Sequence, residues 1–132
     1  RKPYAGPKVS IEIDFEAQSD LEQKIVRYLQ KTWNHTGIQI VPRGLSKREK
    51  LANLFGKKSQ AILARKAMDY PDGFSVLGYF KGNYESNYFF VNDPKIDRAL
   101  LEVVQIFDQE ERSKKYRDIQ LQILRHATIV PL

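Results

Sequence analysis

The sequence predicts an α/β domain: a mainly parallel (mixed) sheet with the element order βαβαβ, followed by two further C-terminal helices. Within residues 9–67, strand-like and helix-like patterns alternate in the order strand, helix, strand, helix, strand, which is typical of parallel strands joined by crossover helices. Both helix-like segments open with a capping pattern. The length of 132 residues suits one domain, so we expect residues 1–132 to form a single α/β domain.

The first strand and helix are predicted from residues 9–33. Apolar and polar residues alternate in VSIEIDF, residues 9–15, which predicts a half-buried strand whose polar face includes Asp14. Ser19 and Glu22 have capping-box spacing, and Gly37 stands where a helix end favours a left-handed residue. The predicted apolar stripe of this helix is Leu21, Ile25, Tyr28, Leu29 and Trp33.

The same pattern then repeats. IQIVP predicts a second strand that Pro42 closes, and Ser46 with Glu49 begins a second helix that ends at Gly56. QAILARKA, residues 60–67, predicts the third strand. The apolar stripe of the second helix is Leu51, Leu54 and Phe55.

The pattern changes after Met68. Residues 74–80 predict a short helix, and Asp93-Pro94 and Asp108 predict the starts of two longer helices. TIVPL at the end of the sequence predicts a strand. The expected stripes of the two longer helices are Ile96, Leu100, Val104 and Phe107, then Tyr116, Ile119, Ile123 and Leu124.

Composition excludes several classes of site. The sequence contains no cysteine, which rules out a disulfide, a catalytic thiol, a zinc–cysteine site and an iron–sulfur cluster within these residues. No apolar run has the roughly 18 residues of a membrane span. The opening RKPYAGPK lacks the apolar segment of a signal peptide, and we expect the sequence to be a piece of a longer protein.

The net charge of +6 is unevenly distributed. Residues 1–67 hold 14 basic and 6 acidic residues, whereas residues 68–132 hold 8 and 10. The excess is concentrated in Pro42–Ala67, where eight basic residues accompany Glu49. This segment is an alternative functional site, because it could bind nucleic acid; a solvated helix face explains the same charges.

The turn MDYPDG, residues 68–73, holds two carboxylates beside large apolar side chains. Asp69 follows the predicted third strand, and ligands of open α/β sheets bind beyond the carboxyl ends of the strands. Asp69 and Asp72 could equally cap the turn and the following helix. The residues themselves leave both interpretations open.

A longer pattern resembles a known family. AMDYPDGFSVLGYF, followed by SNYFFVNDPKIDRALLEVVQIFDQEERSKKYRDIQLQILRHATIVPL, resembles the C-terminal half of the substrate lobe in bacterial extracellular solute-binding proteins of the peptide/nickel-binding class. These proteins are receptors of ABC importers. The matching positions are Asp69, Tyr70, Asp72, Asn87, Tyr88, Asn92, Pro94, Asp97, Arg112, Tyr116, Pro131 and Leu132.

The resemblance implies one lobe of a two-lobed receptor, with Asp69 as the partner of a ligand's α-amino group. It makes Tyr70, Phe74, Lys66 and Tyr88 candidate ligand-binding neighbours, and the loop of residues 82–90 a candidate cleft wall. Two positions depart from the family pattern. Lys66 replaces a tryptophan that often faces the ligand, and Gly73 replaces a proline. A lysine in the cleft disfavours a ligand amine, so an anionic ligand or a non-peptide ligand is an alternative.

The implied partners are a small solute such as an oligopeptide, the second lobe of the same protein and a membrane ABC permease. The implied location is extracytoplasmic, in the periplasm or on a cell-surface lipoprotein. No nucleic acid partner and no cofactor is expected. His35 and His126 are the only histidines, and we expect both to lie at helix ends and not in a metal site. The sequence contains no enzyme motif.

Overall fold

The computed structural model describes residues 6–132, so the RKPYA part of the opening segment lies outside the described residues. The chain divides into two compact units, one ending at Arg65 and the other spanning Lys66–Leu132. Whether the two units act as the single domain expected for residues 1–132 stays a prediction. No helix among the described residues is long and apolar enough to cross a membrane.

The first unit is a parallel sheet with crossover helices, which confirms the predicted α/β class. Its elements are β1 (Val9–Glu16), α1 (Asp20–Trp33), β2 (Ile38–Leu45), α2 (Lys47–Phe55) and β3 (Ala61–Ile62), with a short 3₁₀ turn between α1 and β2. The strand order is β2-β1-β3 and both pairings are parallel. The buried apolar core of this unit is Ile13, Val26, Leu29, Ile40 and Leu63.

The strand lengths differ from the predicted ones. Pro42 does not close β2, which continues to Leu45 with Pro42 opposite Ile13. Because β2 lies at the edge of the sheet, its outer side needs no backbone donor, and proline is tolerated there. The third strand is two residues long instead of eight. Just before it, the Gln60 side chain, not its backbone, accepts the Glu12 N–H at 2.8 Å.

The predicted polar face of β1 is wrong at Asp14, which is fully buried. Its carboxylate accepts hydrogen bonds from Arg43 Nε at 2.5 Å and Nη2 at 2.8 Å, Asn53 Nδ2 at 3.0 Å and Ser59 Oγ at 2.5 Å. Burial opposes ionisation, but these hydrogen bonds, with the Arg43 charge, outweigh it and lower the pKa of Asp14 to about 2. Asp14 thus joins β1, β2, α2 and the loop before β3.

The predicted apolar stripe of α1 is confirmed at Leu29, Ile25 and Trp33, which lie in or against the core, and is wrong at Leu21 and Tyr28. Val26 and Leu29 are buried, whereas Leu21 and Tyr28 are exposed. Glu22, next to Leu21, is buried at 1% exposure and accepts the Glu16 N–H at 2.7 Å. Its carboxylate also pairs with Lys50 Nζ at 2.6 Å. Ser19 does cap the Glu22 N–H, but the Glu22 side chain bonds elsewhere, so the box is half formed.

The second unit is helical. It contains α3 (Phe74–Leu77) with a 3₁₀ turn over Gly78–Phe80, α4 (Pro94–Val103) and α5 (Gln109–Arg125). Asp93 and Asp108 cap α4 and α5 as predicted. The buried core is Leu77, Phe80, Val91, Ile96, Ala99, Leu100, Val103, Tyr116, Ile119 and Ile123.

The stripe predicted for α4 continues too far. The helix ends at Val103, which is buried, whereas Val104 and Phe107 are 47% and 96% exposed. The chain turns after Val103, so helical spacing no longer places the next apolar residues on the inner face. Residues 128–132 form no strand, contrary to the prediction from TIVPL, because the described part of this unit has no strand to pair with them; Ile129 packs on the helical core instead.

Candidate functional site

The MDYPDG turn lies in the second unit, between the end of β3 and the start of α3. Because β3 ends at Ile62, six residues separate its last residue from Asp69 in the sequence. Asp69 therefore does not directly follow the strand, contrary to the prediction. The environment of Asp69 is defined by its contacts within the turn and not by the strand.

The two carboxylates of the turn have different environments. Asp72 Oδ1 accepts hydrogen bonds from the Phe74 N–H, at 2.9 Å, and from the Tyr116 hydroxyl. Arg112 Nη1 lies 3.6 Å from the other carboxylate oxygen, Oδ2. Burial opposes ionisation of Asp72, but the bonds from Tyr116 and Phe74 outweigh it and lower its pKa. Burial and the bond to Asp72 raise the pKa of Tyr116 to about 12. Asp72 is therefore a structural cap of α3, as one of the two interpretations proposed.

Gly73 is fixed by the same contact. A Cβ atom at this position would lie 2.9 Å from two ring atoms of Tyr116. The φ angle of Gly73 is −58°, so the constraint is lack of space and not backbone conformation. This close approach explains why this position of the turn favours glycine in this chain.

We expect Gly73→Ala to lower the free energy of unfolding by roughly 1–3 kcal/mol, because the methyl group must displace the Tyr116 ring. Chemical denaturation of both proteins measures the difference. In a Tyr116→Leu background the same substitution should cost much less, since the ring is absent and the two effects are coupled. Equal costs in the two backgrounds would contradict this explanation.

Asp69 makes no structural bond of this kind. Its side chain is 63% exposed, and its partner among the described residues is Lys66, whose Nζ lies 3.2 Å from Asp69 Oδ2. Lys66 Nζ also lies 4.4 Å from the centroid of the Tyr79 ring, within the range of a cation–π contact. Hydrogen bonding with Tyr79 and then with Asp69 raises the pKa of Lys66. The result is an exposed ion pair resting on an aromatic ring.

The other predicted site residues are placed differently. Tyr70 is 48% exposed beside Asp69. Phe74 packs against the helical core and covers Gly78, and Tyr88 is half-buried, with its N–H bonded to Ser86 O at 3.0 Å. The structure thus brings Lys66 and Asp69 into contact, and the roles of Tyr70, Phe74 and Tyr88 toward a ligand stay predictions.

Sequence reasoning missed Tyr79. It lies 13 positions after Lys66, with no local spacing rule to connect the two, and it makes an edge-to-face contact with Tyr84 at 5.8 Å between centroids. The run of aromatics after Gly78 was the available signal. Tyr79 and Tyr84 extend the aromatic surface beside the Lys66–Asp69 pair.

The loop of residues 82–90 is held in place by buried polar contacts. The Asn87 amide donates to Val91 O at 2.6 Å and to Lys81 O at 3.2 Å. Asp97 accepts the Gly82 N–H at 2.8 Å, and the rings of Phe80 and Phe89 stack at 4.4 Å. Asn87 in the loop and Asp97 in α4, both matching positions of the family pattern, therefore have structural roles in holding this loop.

The basic segment Pro42–Ala67 is partly neutralised. Arg43 pairs with Glu12 and Asp14, Lys50 with Glu22, and Lys66 with Asp69. Arg65 Nε lies 3.7 Å from the Glu22 carboxylate. Half of the eight basic residues thus face carboxylates of the same chain, which leaves little support for a nucleic-acid-binding surface here.

His126 pairs with the carboxylate that caps α4 and belongs to no metal-binding cluster of the described residues. His126 Nε2 lies 3.1 Å from Asp93 Oδ2, at the start of α4. Across residues 6–132, no group of three or more histidine or acidic side chains could hold a metal ion.

Comparison with solved structures identifies the fold. The murein tripeptide binding protein MppA of Escherichia coli matches with a TM-score of 0.82 at 16% identity, over 91% of this chain and 24% of that one. OppA of Haemophilus influenzae, in complex with the peptide RPPGFSPFR, matches at 0.76 and 19% identity, over 85% of this chain and 22% of that one. The chain has the fold of part of a peptide/nickel-class solute-binding protein.

A third example is the ABC transporter-associated periplasmic binding protein DppA from Helicobacter pylori, in complex with the peptide STSA. It matches with a TM-score of 0.76 at 18% identity, over 95% of this chain and 25% of that one. The chain spans about a quarter of the length of these solute-binding proteins. The resemblance seen in the sequence is thus confirmed for the fold. No protein-family model and no curated protein matches the sequence.

Proposed function

We propose that this chain is part of one lobe of an extracytoplasmic receptor that delivers a small solute, such as an oligopeptide, to an ABC importer. The observation that carries the proposal is the likeness to peptide-binding receptors over 85–95% of the chain. In this role the protein is a non-enzymatic binding protein. Its remaining partners are the second lobe and a membrane permease.

The proposed mechanism is capture between two lobes. A solute that binds the closed state better than the open state shifts the population toward closure, and the closed form then docks on the transporter. Residues 1–132 supply one wall of the cleft as a single α/β lobe. Tyr70, Phe74, Tyr88 and the loop of residues 82–90 would lie along that wall.

Asp69 is the proposed polar contact for the solute. The exposure of its carboxylate supports this role, as does the fact that Asp72, three residues later, already provides the cap that the turn requires. A carboxylate in a turn that is held in place by other residues loses little entropy when a ligand binds. Half a cleft binds weakly, so we expect dissociation constants of about 1 mM or higher for the isolated chain.

A nitrogen-15-labelled sample of the chain tests this role by titration with peptides, amino acids, sugars and chelated metal ions. We expect at least one solute class to shift the amide signals around Asp69 and Tyr70, and Asp69→Asn to remove those shifts. Asp118→Asn is the matched control, because Asp118 is an exposed carboxylate on α5. Shifts that survive Asp69→Asn would exclude Asp69. Binding confined to an oligonucleotide and lost with added salt would refute the receptor role.

A further inference from the structure

The Lys66–Asp69 pair presents both a hydrogen-bond donor and a hydrogen-bond acceptor on the same exposed surface. Asp69 Oδ2 accepts from Lys66, whereas Asp69 Oδ1 has no partner within residues 6–132. A lysine ammonium has three donors; in Lys66 one is directed to Asp69 and another lies against Tyr79. Since the Lys66 side chain is 40% exposed, a third donor remains accessible. One open acceptor and one open donor therefore lie side by side.

The charges of this pair determine which ligand it favours. The two charged groups are only 3.2 Å apart, so a lone ligand ammonium bound to Asp69 is repelled by Lys66 from nearly the same distance at which Asp69 attracts it. A lone carboxylate on Lys66 meets the same opposition from Asp69. A ligand with both charges close together gains from both contacts, because each of its groups faces the opposite sign.

We infer that the solute bound at this site carries a free α-amino acid group, whose ammonium binds Asp69 while its carboxylate binds Lys66. In an α-amino acid one carbon atom separates the two charged groups, which matches a contact pair within hydrogen-bonding distance. A peptide separates its ammonium from its carboxylate and presents only one of them here. This inference rests on the proposed function and narrows its small solute to a zwitterionic amino acid in place of an oligopeptide.

The aromatic surroundings indicate an apolar side chain on that amino acid. Met68, Tyr70 and Tyr84 are 55%, 48% and 50% exposed. Met68 and Tyr70 flank Asp69 in the sequence, and Tyr84 contacts the Tyr79 ring that supports Lys66. These side chains offer apolar surface beside the charged pair, so L-leucine is a suitable probe.

The test compares four probes on the labelled chain: L-leucine, L-leucinamide, N-acetyl-L-leucine and leucyl-leucine. L-leucine should bind roughly three- to tenfold more tightly than each of the others, which is the scale of one exposed or half-exposed charge contact. Lys66→Met and Asp69→Asn should each remove this preference. The double variant Lys66→Asp with Asp69→Lys should restore it, because a zwitterion can bind in the reverse orientation.

The outcomes separate this inference from the proposed function. If leucinamide or leucyl-leucine binds at Asp69 as tightly as leucine, the zwitterion inference is overturned while the receptor role stands. Equal binding of N-acetyl-leucine, or a preference for leucine that persists in Lys66→Met, also overturns it. If no probe and no solute of the wider panel shifts signals around Asp69, both proposals fail. All substituted side chains are exposed, so the variants should remain folded.

Discussion

Replacing Asp14 by alanine should lower the free energy of unfolding of the first unit by roughly 2–4 kcal/mol. The fully buried carboxylate accepts four hydrogen bonds. Its loss leaves Asn53 and Ser59 without their acceptor and removes the buried partner of Arg43. The estimate stays below the cost of breaking a fully buried pair because the Arg43 side chain is 37% exposed and also contacts Glu12.

Glu12→Ala is the matched control for Asp14→Ala. Glu12 lies on the same strand and pairs with the same arginine, but its side chain is 41% exposed, so its removal should cost less than about 1 kcal/mol. Denaturation monitored by the fluorescence of Trp33, the single tryptophan, reports on this unit because Trp33 packs against its core. Equal losses in the two variants would contradict a structural role specific to Asp14.

Asp14 also predicts a dependence of stability on pH. Its pKa is about 2 in the folded protein, against 3.8 for an ordinary aspartate. Between these values the unfolded state binds more protons, so Asp14 stabilises the fold above pH 4 and this contribution is lost as the pH falls toward 2. The loss should amount to about 2 kcal/mol. In Asp14→Asn, the free energy of unfolding measured against pH should lack this loss between pH 4 and pH 2. An unchanged loss in that range would assign it to other carboxylates.

Leu100→Ala should destabilise the second unit by about 2–5 kcal/mol. Leu100 is fully buried in the centre of α4, where it packs in the cluster that includes Ile119 and Ile123 of α5. Removing its three terminal carbon atoms loses apolar burial and leaves a cavity that the neighbouring helices fill only in part. Since this unit has no tryptophan, hydrogen exchange of the α4 and α5 amides is the suitable measurement.

Leu101→Ala is the control for this prediction. It makes the same change one position along the same helix, where the side chain is 51% exposed. Protection of the α5 amides should therefore change little. If Leu101→Ala lowers protection as much as Leu100→Ala does, the burial of Leu100 in the core would not explain the effect, since alanine favours the helix at least as well as leucine.

Much of the fold could be predicted because its signals are local. The capping box of Ser46 and Glu49, the caps at Asp93 and Asp108 and the left-handed Gly37 all form as predicted. Each depends on residues two or three positions apart or on a single backbone angle. The order βαβαβ follows from the alternation of two periodicities along the chain. These features need no knowledge of distant residues.

The candidate site was predictable only in part. Asp69 and Lys66 are three residues apart, and the family resemblance named both as candidate ligand-binding residues, although the sequence predicted Lys66 within the third strand. The distinction between Asp69 and Asp72 could not be made there, because it depends on Tyr116, which lies 44 positions after Asp72 and donates to it. The contact between Lys66 and Tyr79 could not be predicted for the same reason, since it forms only when the chain folds back on itself.

The sequence by itself determined where helices begin, which segments alternate and which turn carries two carboxylates. The tertiary structure alone decided that Asp14 and Glu22 are buried, that Pro42 lies within an edge strand and that Tyr116 closes on Gly73. The physical reason is the range of the contacts. A cap satisfies a donor within its own turn, whereas a buried carboxylate is stable only where donors such as Arg43 and Lys50, 29 and 28 positions away, reach it.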